Sequence, residues 1–208
     1  LLKMNIVLIT GATSGIGKAC VDKFSEERYF IIGIGKDKKK LKKLKSQSIK
    51  FGSLGFKGIQ CNFDNIKSIN KMINKLRNFK KIDCIVNSAG VAYKNNIKNL
   101  SLKEWNNVMQ VNVTIPFMIV QKSLNKLLKS KNPSIVNISS IAGRTRSISL
   151  GCHYTTSKSA IIGMTRHLAA ELGPKGIRVN CSAPSQTLTP MLKKALSKND
   201  QILLSKKV

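Results

Sequence analysis

The sequence predicts a single α/β domain built on a doubly wound parallel sheet. Short, continuous apolar runs alternate with helix-compatible stretches six times, as expected for strands covered on both faces. A glycine-rich turn follows the first run, and small or polar residues follow several later runs. No internal repeat or linker interrupts this alternation, so residues 1–208 are expected to form one domain.

The composition agrees with a folded domain and argues against a nucleic-acid function. The chain is 42% hydrophobic, enough for a sizeable core. Its 37 Lys and Arg against 9 Asp and Glu give a formal charge of +28. The lysines are spread along the chain and aromatic residues are only 5%, so no basic stripe with interleaved aromatics forms. We favour a solvated basic surface, as an AT-rich genome encodes, over a specific nucleic-acid partner.

Cysteine usage and hydropathy bear on the compartment. The five cysteines lie far apart without a CxxC pair, which is typical of reduced thiols in a cytoplasmic protein. No apolar run is long enough for a membrane span, and no signal peptide precedes the first strand, so no membrane partner is expected. His153 and His167 lack partners at metal-ligand spacing, and no metal site is predicted.

The first strand, predicted at 4–9, leads into a glycine turn and a helix to about Glu27. Gly11 permits the tight turn, Gly15 lets backbone N–H groups approach a pyrophosphate, and Gly17 allows close packing of helix on strand. The helix dipole adds to the attraction for phosphate. The turn residues predicted to bind a dinucleotide are Gly11, Thr13, Ser14, Gly15, Ile16 and Gly17.

The second strand, predicted at 30–34, bears on the choice of cofactor. An acidic residue at its end would hydrogen-bond an adenosine ribose, whereas a basic residue would face a 2′-phosphate. Gly35 stands where the acid is expected and Lys36 follows, which favours NADP(H). Asp37 is one position later than expected for the acidic residue, but it could still bind the ribose. NAD(H) therefore stays open as the alternative cofactor. The lysine-rich run 38–45 is predicted to be a solvated helix.

The third and fourth strands are predicted at 58–61 and 82–87, with a helix at 66–79 between them. The fourth strand ends in residues 87–90, Asn-Ser-Ala-Gly, where small side chains let a ligand approach closely.

A capping box from Ser101 to Glu104 begins the next helix. Asn112 follows, and apolar spacing resumes to about Leu128. An asparagine within such a helix is ordinarily solvated or hydrogen-bonded in the core, so its position alone indicates no function.

A strand end and a helix then carry the groups that can move a proton. The fifth strand, predicted at 135–140, delivers the hydroxyls of Ser139 and Ser140 at its carboxyl end. Tyr154 and Lys158 are four residues apart on a helix and therefore share one face. Alone, this pair would be an ordinary surface pair; beside a phosphate-binding turn, we interpret it as catalytic.

The helix is predicted to end at Leu172, before Gly173-Pro174, and a sixth strand at 177–182 ends in Ala183-Pro184. In doubly wound, Rossmann-type folds, ligands bind beyond the carboxyl ends of the strands. The motifs described above lie at such ends, which predicts one site formed from all of them.

These motifs, in this order, resemble those of the classical short-chain dehydrogenase/reductase family over nearly the whole chain. Residues 10–17 match its TGxxxGIG turn, 87–90 its NNAG segment, and 154–158 its YxxxK pair. Residues 178–180 and 183–184 match its RVN…PG stretch. The resemblance is strongest to members acting as 3-oxoacyl-carrier-protein reductases and sugar or polyol dehydrogenases.

The resemblance implies hydride transfer between a nicotinamide and a carbonyl or carbinol carbon. Tyr154 would be the general acid or base, and Lys158 would lower its pKa and contact the nicotinamide ribose. Ser140 would hydrogen-bond the substrate oxygen, and Asn112 would hold a water relaying protons to Lys158. Further cofactor contacts are implied at Lys36, Asn62, Asn87, Ala89, Gly90, Tyr154, Lys158, Pro184, Thr187 and Thr189.

Several positions depart from the family pattern. Ser88 replaces the second Asn of NNAG, and Ser185 replaces the Gly after Pro184. Asn62 stands where an Asp at the adenine edge is usual, and its amide can still hydrogen-bond the ring.

Two further departures affect the site and the chain end. The spacing from Ser140 to Tyr154 is about one residue longer than is commonest, so Ser139 remains an alternative to Ser140. The chain ends at Val208, before the family's seventh strand, and C-terminal truncation is therefore expected.

The resulting expectation is an NAD(P)-dependent oxidoreductase of a ketone, secondary alcohol or acyl thioester, a homo-oligomer (dimer or tetramer) when full length. The alternative is a cofactor-binding family member without turnover, acting in regulation or assembly. The substrate wall is expected in the loop after Ser140 and in residues 186–204. Neither segment carries a charged constellation that would name the substrate.

Overall fold

The strands form one parallel sheet in the computed structural model, which describes residues 4–195. Numbered in chain order, the strands are arranged 3-2-1-4-5-6, so the direction of winding reverses between the first and the fourth strand. This reversal confirms the predicted doubly wound fold and leaves a crevice beyond the carboxyl ends of those two strands. The strand bounds are β1 Ile6–Thr10, β2 Phe30–Gly35, β3 Gly55–Gln60, β4 Cys84–Asn87, β5 Ser134–Ile138 and β6 Arg178–Ser182.

Helices connect the strands and cover both faces of the sheet. A π-helical turn occupies Gln110–Thr114, and short 3₁₀ turns occupy Ile141–Gly143 and Gly173–Lys175. The α-helices are α1 Gly15–Glu26, α2 Lys38–Lys50, α3 Ile66–Leu76, α4 Leu102–Met109, α5 Ile115–Leu127, α6 Cys152–Leu172 and α7 Pro190–Ala195.

Side chains at the helix N-termini explain where several helices begin. Asp37 accepts a hydrogen bond from Lys40 N at 3.0 Å and caps α2. The predicted capping box is confirmed, because the Ser101 hydroxyl accepts from Glu104 N while the Glu104 side chain accepts from Ser101 N. Each cap satisfies a first-turn N–H group that would otherwise lack a partner.

The core lies on both sides of the sheet, since alternate residues of each strand point to opposite faces. In β1, Ile6 and Leu8 join one buried cluster with α3 and α5 residues, while Val7 and Ile9 join the other with Leu41 of α2. All of β1 is buried, which explains why it reads as a continuous apolar run rather than an alternating one.

Element boundaries differ from the predicted ones by a few residues. The third strand begins at Gly55 rather than residue 58, because it pairs in register with β2 from Phe30 onward. The lysine-rich helix continues to Lys50 rather than residue 45, since Ser48 still faces the core. The fifth strand ends at Ile138, which places Ser139 and Ser140 in the following loop.

Some expectations concern residues that the structure does not describe. They are the far part of the predicted substrate wall, 196–204, and the chain end with its expected truncation. Between residues 4 and 195, no helix is long and apolar enough to cross a membrane.

Candidate active site

A cavity of about 480 Å³ lies where the loops after all six strands meet, within the size range of small-molecule and cofactor sites. Most of the predicted site residues line it, whereas Gly17, Asn87 and Asn112 do not. The predicted residues that line it are Gly11, Thr13, Ser14, Gly15, Ile16, Lys36, Asn62, Ala89, Gly90, Ser140, Tyr154, Lys158, Pro184, Thr187 and Thr189.

The turn after β1 brings bare backbone to the floor of the cavity. Gly11 has a φ of 64°, and a Cβ at this position would lie 3.0 Å from the Cα and N atoms of Ala89. The Thr10 hydroxyl holds the same approach by accepting hydrogen bonds from Ser88 N and Ala89 N, both at 3.0 Å. A side chain at residue 11 would therefore push the two loops apart.

The other two glycines of the turn have different neighbours. A Cβ at Gly17 would lie 2.4 Å from the carbonyl oxygen of Gly11, so this residue packs α1 against the turn. Gly15 has a φ of 51°, and a Cβ there would lie 3.1 Å from Cγ2 of Thr189. Gly15 therefore lets the loop after β6 approach the start of α1 across the cavity.

The N-terminus of α1 opens into the cavity and suits an anion. Ser14, Gly15 and Ile16 line the cavity at this end. The first turn carries no acidic side chain, and the Ser14 hydroxyl accepts no hydrogen bond from a first-turn N–H among the described residues. Free N–H groups and the positive end of a helix dipole fit a pyrophosphate.

Lys36, at the end of β2, faces an acidic residue that the sequence did not indicate. Its Nζ lies 3.6 Å from Oδ2 of Asp64, and both side chains line the cavity. Asp37 caps α2 and does not line the cavity, so the alternative ribose ligand is directed to the helix instead.

Two amides surround Asp64. Asn62 lines the cavity, and its Oδ1 accepts a hydrogen bond from Asp64 N at 3.3 Å. Oδ1 of Asp64 accepts from Nδ2 of Asn107, in α4, at 2.6 Å. The carboxylate is thereby held between the loop after β3 and α4.

Tyr154 and Lys158 project from the first turns of α6 into the cavity, as their spacing predicted. The Lys158 Nζ lies 5.7 Å from the centroid of the Tyr154 ring and donates a hydrogen bond to Ile138 O at 2.8 Å. Both side chains are buried, with 9% of Tyr154 and 6% of Lys158 exposed. The ammonium is thus fixed against the end of β5 rather than extended into solvent.

Burial shifts both groups toward their neutral forms. The pKa of the Tyr154 phenol is raised by burial, and the neighbouring Ser140 hydroxyl opposes this shift. The pKa of Lys158 is lowered to about 8, also by burial. The direction for Tyr154 is opposite to the lowered pKa expected from the sequence, because burial of the phenol raises its pKa by more than the Ser140 hydroxyl lowers it.

The two serines after β5 have different surroundings. The Ser139 hydroxyl is buried and donates to the backbone oxygen of Lys158 at 2.7 Å, which ties β5 to α6. Ser140 is half-buried, and its hydroxyl is close enough to hydrogen-bond the Tyr154 phenol, which lowers the pKa of that phenol. Both serines line the cavity, and the hydroxyl beside the Tyr154 phenol is that of Ser140.

Asn112 lies in the π-helical turn with 2% of its surface exposed. Its Oδ1 accepts from Val91 N at 2.8 Å, and its Nδ2 donates to Val91 O and to the Ser157 hydroxyl, both at 3.0 Å. Ser157 in turn donates to the backbone oxygen of Tyr154 at 2.8 Å. Both amide hydrogens are used, so the side chain clamps the loop after β4 to α6.

Asn87 also connects elements rather than lining the cavity. Its Nδ2 donates to Oδ1 of Asn137 at 2.9 Å, and Nδ2 of Asn137 donates to the Thr165 hydroxyl at 2.9 Å. This buried chain links β4, β5 and α6. The Nδ2 group of Asn87 thus holds the floor of the cavity in place, and the cofactor contact of this residue stays a prediction.

The residues near the site that the sequence reasoning did not assign include Asp64, Arg146 and Ser157. Ser157 could have been identified, because it lies between the predicted catalytic pair on the same helix. Arg146 lies in the loop after Ser140, where a substrate wall was expected, and it lines the cavity. Asp64 gave no signal, because it approaches Lys36 from a separate strand end.

Comparisons with known proteins agree with this geometry. A family model described as short chain dehydrogenase matches residues 5–200. A 3-oxoacyl-acyl-carrier-protein reductase of Aquifex aeolicus is 34% identical over 191 residues, covering 91% of this chain and 77% of the relative.

Two solved structures from Brucella melitensis are similar over most of their length. A 3-oxoacyl-acyl-carrier-protein reductase superposes with a TM-score of 0.88 at 32% identity, covering 98% of this chain and 77% of its own. A second structure, described as such a reductase with bound NAD, gives a TM-score of 0.83 at 33% identity, covering 93% and 75%.

Proposed function

Because this chain belongs to the short chain dehydrogenase family, we propose that it transfers a hydride between a nicotinamide cofactor and a ketone or secondary alcohol, with Tyr154 as general acid or base. One observation carries the proposal: Tyr154, Lys158 and Ser140 line the same cavity as the anion-attracting start of α1. This arrangement supports a proton-transfer role beside a bound dinucleotide.

The residues of the cavity fit a dinucleotide. Gly11 and Gly15 leave room for backbone to approach it, and the N-terminus of α1 would hold the pyrophosphate. When bound, the cofactor supplies the hydride and, in its oxidised form, a positive nicotinamide ring. Pro184 and Thr189 would contact the nicotinamide end from the loop after β6.

We propose NADPH as the preferred cofactor, with NADH accepted. Lys36 lies at the end of β2, where a 2′-phosphate would be bound, and its side chain is 73% exposed. Asp64, at 3.6 Å, offsets part of this positive charge and would weaken the discrimination against NADH.

In reduction, Tyr154 donates its phenolic proton to the carbonyl oxygen. A raised pKa keeps the phenol protonated near neutral pH, which suits this direction of the reaction. The Ser140 hydroxyl would donate a second hydrogen bond to the same oxygen and so orient the substrate.

Lys158 and Asn112 support the phenol in different ways. With a pKa of about 8, Lys158 is mostly cationic at neutral pH and stabilises the phenolate that reduction leaves behind. Asn112 positions the start of α6 through Ser157. We therefore assign the Asn112 side chain a positioning role, and the water relay that the family resemblance implied for this residue stays a prediction.

The proposal is tested by oxidation of NADPH and NADH across a panel of ketones, aldehydes and 3-oxoacyl thioesters. We expect NADPH-dependent reduction of at least one carbonyl class. Lys36→Ala should lower kcat/KM for NADPH by about tenfold, the loss expected for a charged hydrogen bond, and leave that for NADH nearly unchanged.

Lys38→Ala is the matched control, since Lys38 is exposed on α2 and does not line the cavity. It should alter neither value. A protein that binds NADPH but reduces no carbonyl would support the alternative family member without turnover. An NADH preference unaffected by Lys36→Ala would contradict the cofactor assignment.

A further inference from the structure

Resting on the proposed function, we infer that Arg146 gives this site a preference for carbonyl substrates that carry an anionic group. The guanidinium would pair with a carboxylate or a phosphate on the substrate, away from the reacting carbon. No step of the reaction changes; the inference concerns which substrate is held beside Tyr154.

Arg146 belongs to the substrate end of the cavity. It lies in the loop between β5 and α6, six residues after Ser140 and eight before Tyr154, and it lines the cavity together with both. The start of α1 and Lys36 follow β1 and β2, whereas Arg146 follows β5, which lies beyond β4 on the other side of β1 in the sheet. We call the part of the cavity near β1 and β2 the cofactor end, and the part near β5 the substrate end. A cation in the loop of Arg146 therefore meets the substrate rather than the dinucleotide phosphates.

Hydrogen bonds hold the backbone on either side of Arg146. The Thr145 hydroxyl donates to Ile141 O at 3.2 Å, next to Ser140. Ser147 N donates to the Thr155 hydroxyl at 3.0 Å, next to Tyr154. These bonds tie the backbone of Arg146 to the neighbours of Ser140 and Tyr154. Since Ser140 and Tyr154 would hold the carbonyl oxygen of the substrate, the distance from the Arg146 backbone to that oxygen is restricted.

The charges of the cavity are unevenly distributed. At the cofactor end, Lys36 is offset by Asp64 at 3.6 Å. At the substrate end, Arg146 and Lys158 line the cavity, and no Asp or Glu among the described residues lines that end. Arg146 makes no ion pair with any acidic side chain in the described part of the chain.

The surroundings of Arg146 narrow the class of substrate further. Ile148 and Leu150, in the loop of Arg146, and Met191, after β6, also line the cavity and give it apolar surface. A substrate with a short aliphatic chain between its carbonyl and an acidic group would place each part against a matching surface. A guanidinium suits this task, since its planar fork binds carboxylate or phosphate through two parallel hydrogen bonds.

Arg144 offers a matched control two residues away in the same loop. It is exposed like Arg146, but it lines a separate surface pocket with Arg166 and Gly163 instead of the active-site cavity. A neutral substitution at either position removes the same charge from the same loop. An effect of general electrostatics would therefore appear in both variants, whereas direct recognition would appear in one.

The experiment measures kcat/KM for pairs of substrates that differ in charge at a similar carbon skeleton. The pairs are 4-oxopentanoate with its methyl ester, and 4-oxopentyl phosphate with 5-hydroxypentan-2-one. The readout is the ratio of kcat/KM for the anionic to the neutral member. In Arg146→Gln we expect this ratio to fall about tenfold or more, mainly through KM, since a charged hydrogen bond is lost.

Arg144→Gln should leave the ratio near that of the unmodified protein, and Arg146→Lys should retain part of the preference. A fall confined to the first pair identifies a carboxylate as the recognised group, and a fall confined to the second pair identifies a phosphate. Unfolding midpoints confirm that the variants are folded.

Failure of this inference is distinguishable from failure of the proposed function. If the unmodified protein reduces no member of either pair or of the wider panel, the proposed function fails. If it reduces both members and the ratios are the same in Arg146→Gln, or fall equally in Arg144→Gln, the inference is overturned while the proposed function stands.

Discussion

Lys158 is a cation that the fold buries between α6 and the end of β5, and its charge opposes folding. Its pKa falls to about 8 in the folded protein from an ordinary value of 10.5. Between these two pH values the unfolded chain binds more protons at this site than the folded chain does. The free energy of unfolding is therefore higher above pH 10.5, where Lys158 is neutral in both states. This gain is lost as the pH falls through 8, where the buried amine takes up its proton.

This pH dependence predicts how the free energy of unfolding of Lys158→Met differs from that of the unmodified protein. At pH 7 the variant avoids a burial penalty of about 3 kcal/mol, which offsets part of the loss of the hydrogen bond to Ile138. That advantage should shrink by about 2–3 kcal/mol between pH 7 and pH 10. Urea unfolding of both proteins at the two pH values measures it. A free-energy difference that does not change with pH would contradict the buried cation.

Among the elements, α1 and α6 each contain a glycine, and the two glycines differ in how much space surrounds the position of a Cβ atom. A Cβ at Gly17 of α1 would lie 2.4 Å from the backbone oxygen of Gly11, which cannot move without opening the turn. A Cβ at Gly163 of α6 meets no atom within 4 Å. The same substitution therefore separates a packing requirement from helix propensity.

We expect Gly17→Ala to lower the free energy of unfolding by about 1–3 kcal/mol through overpacking and to weaken cofactor binding. Gly163→Ala should raise the free energy of unfolding by about 0.5–1 kcal/mol, because alanine loses less conformational freedom in a helix. Denaturant unfolding measures both. Equal effects of the two substitutions would show that the tight approach of α1 to its turn is not required.

For the whole molecule, most of the fold was predictable because parallel strands and their covering helices leave local signals. The apolar run of β1, the capping box at Ser101 and the stop at Gly173-Pro174 each follow from neighbouring residues. The predicted convergence of motifs also follows, since the carboxyl ends of parallel strands meet at one edge of a sheet.

The parts that could not be predicted depend on residues far apart in the chain. The π-helical turn at Asn112 accompanies hydrogen bonds to Val91 and Ser157, which lie 21 and 45 residues away. The approach of Asp64 to Lys36 joins two strand ends. The raised pKa of Tyr154 depends on how completely the fold removes water from the phenol. The spacing of one helical turn between Tyr154 and Lys158 does not predict that burial.

We assign to Tyr154 the transfer of the proton that accompanies the hydride. The most direct test is the turnover number of Tyr154→Phe with NADPH and the best carbonyl of the panel, together with the dissociation constant for NADPH. Tyr93→Phe is the control, since the Tyr93 hydroxyl donates a hydrogen bond to Oδ1 of Asn107 and Tyr93 does not line the cavity. We predict that Tyr154→Phe lowers turnover by about a hundredfold or more, with little change in NADPH binding, and that Tyr93→Phe does not. Turnover by Tyr154→Phe equal to that of the unmodified protein would contradict the assignment.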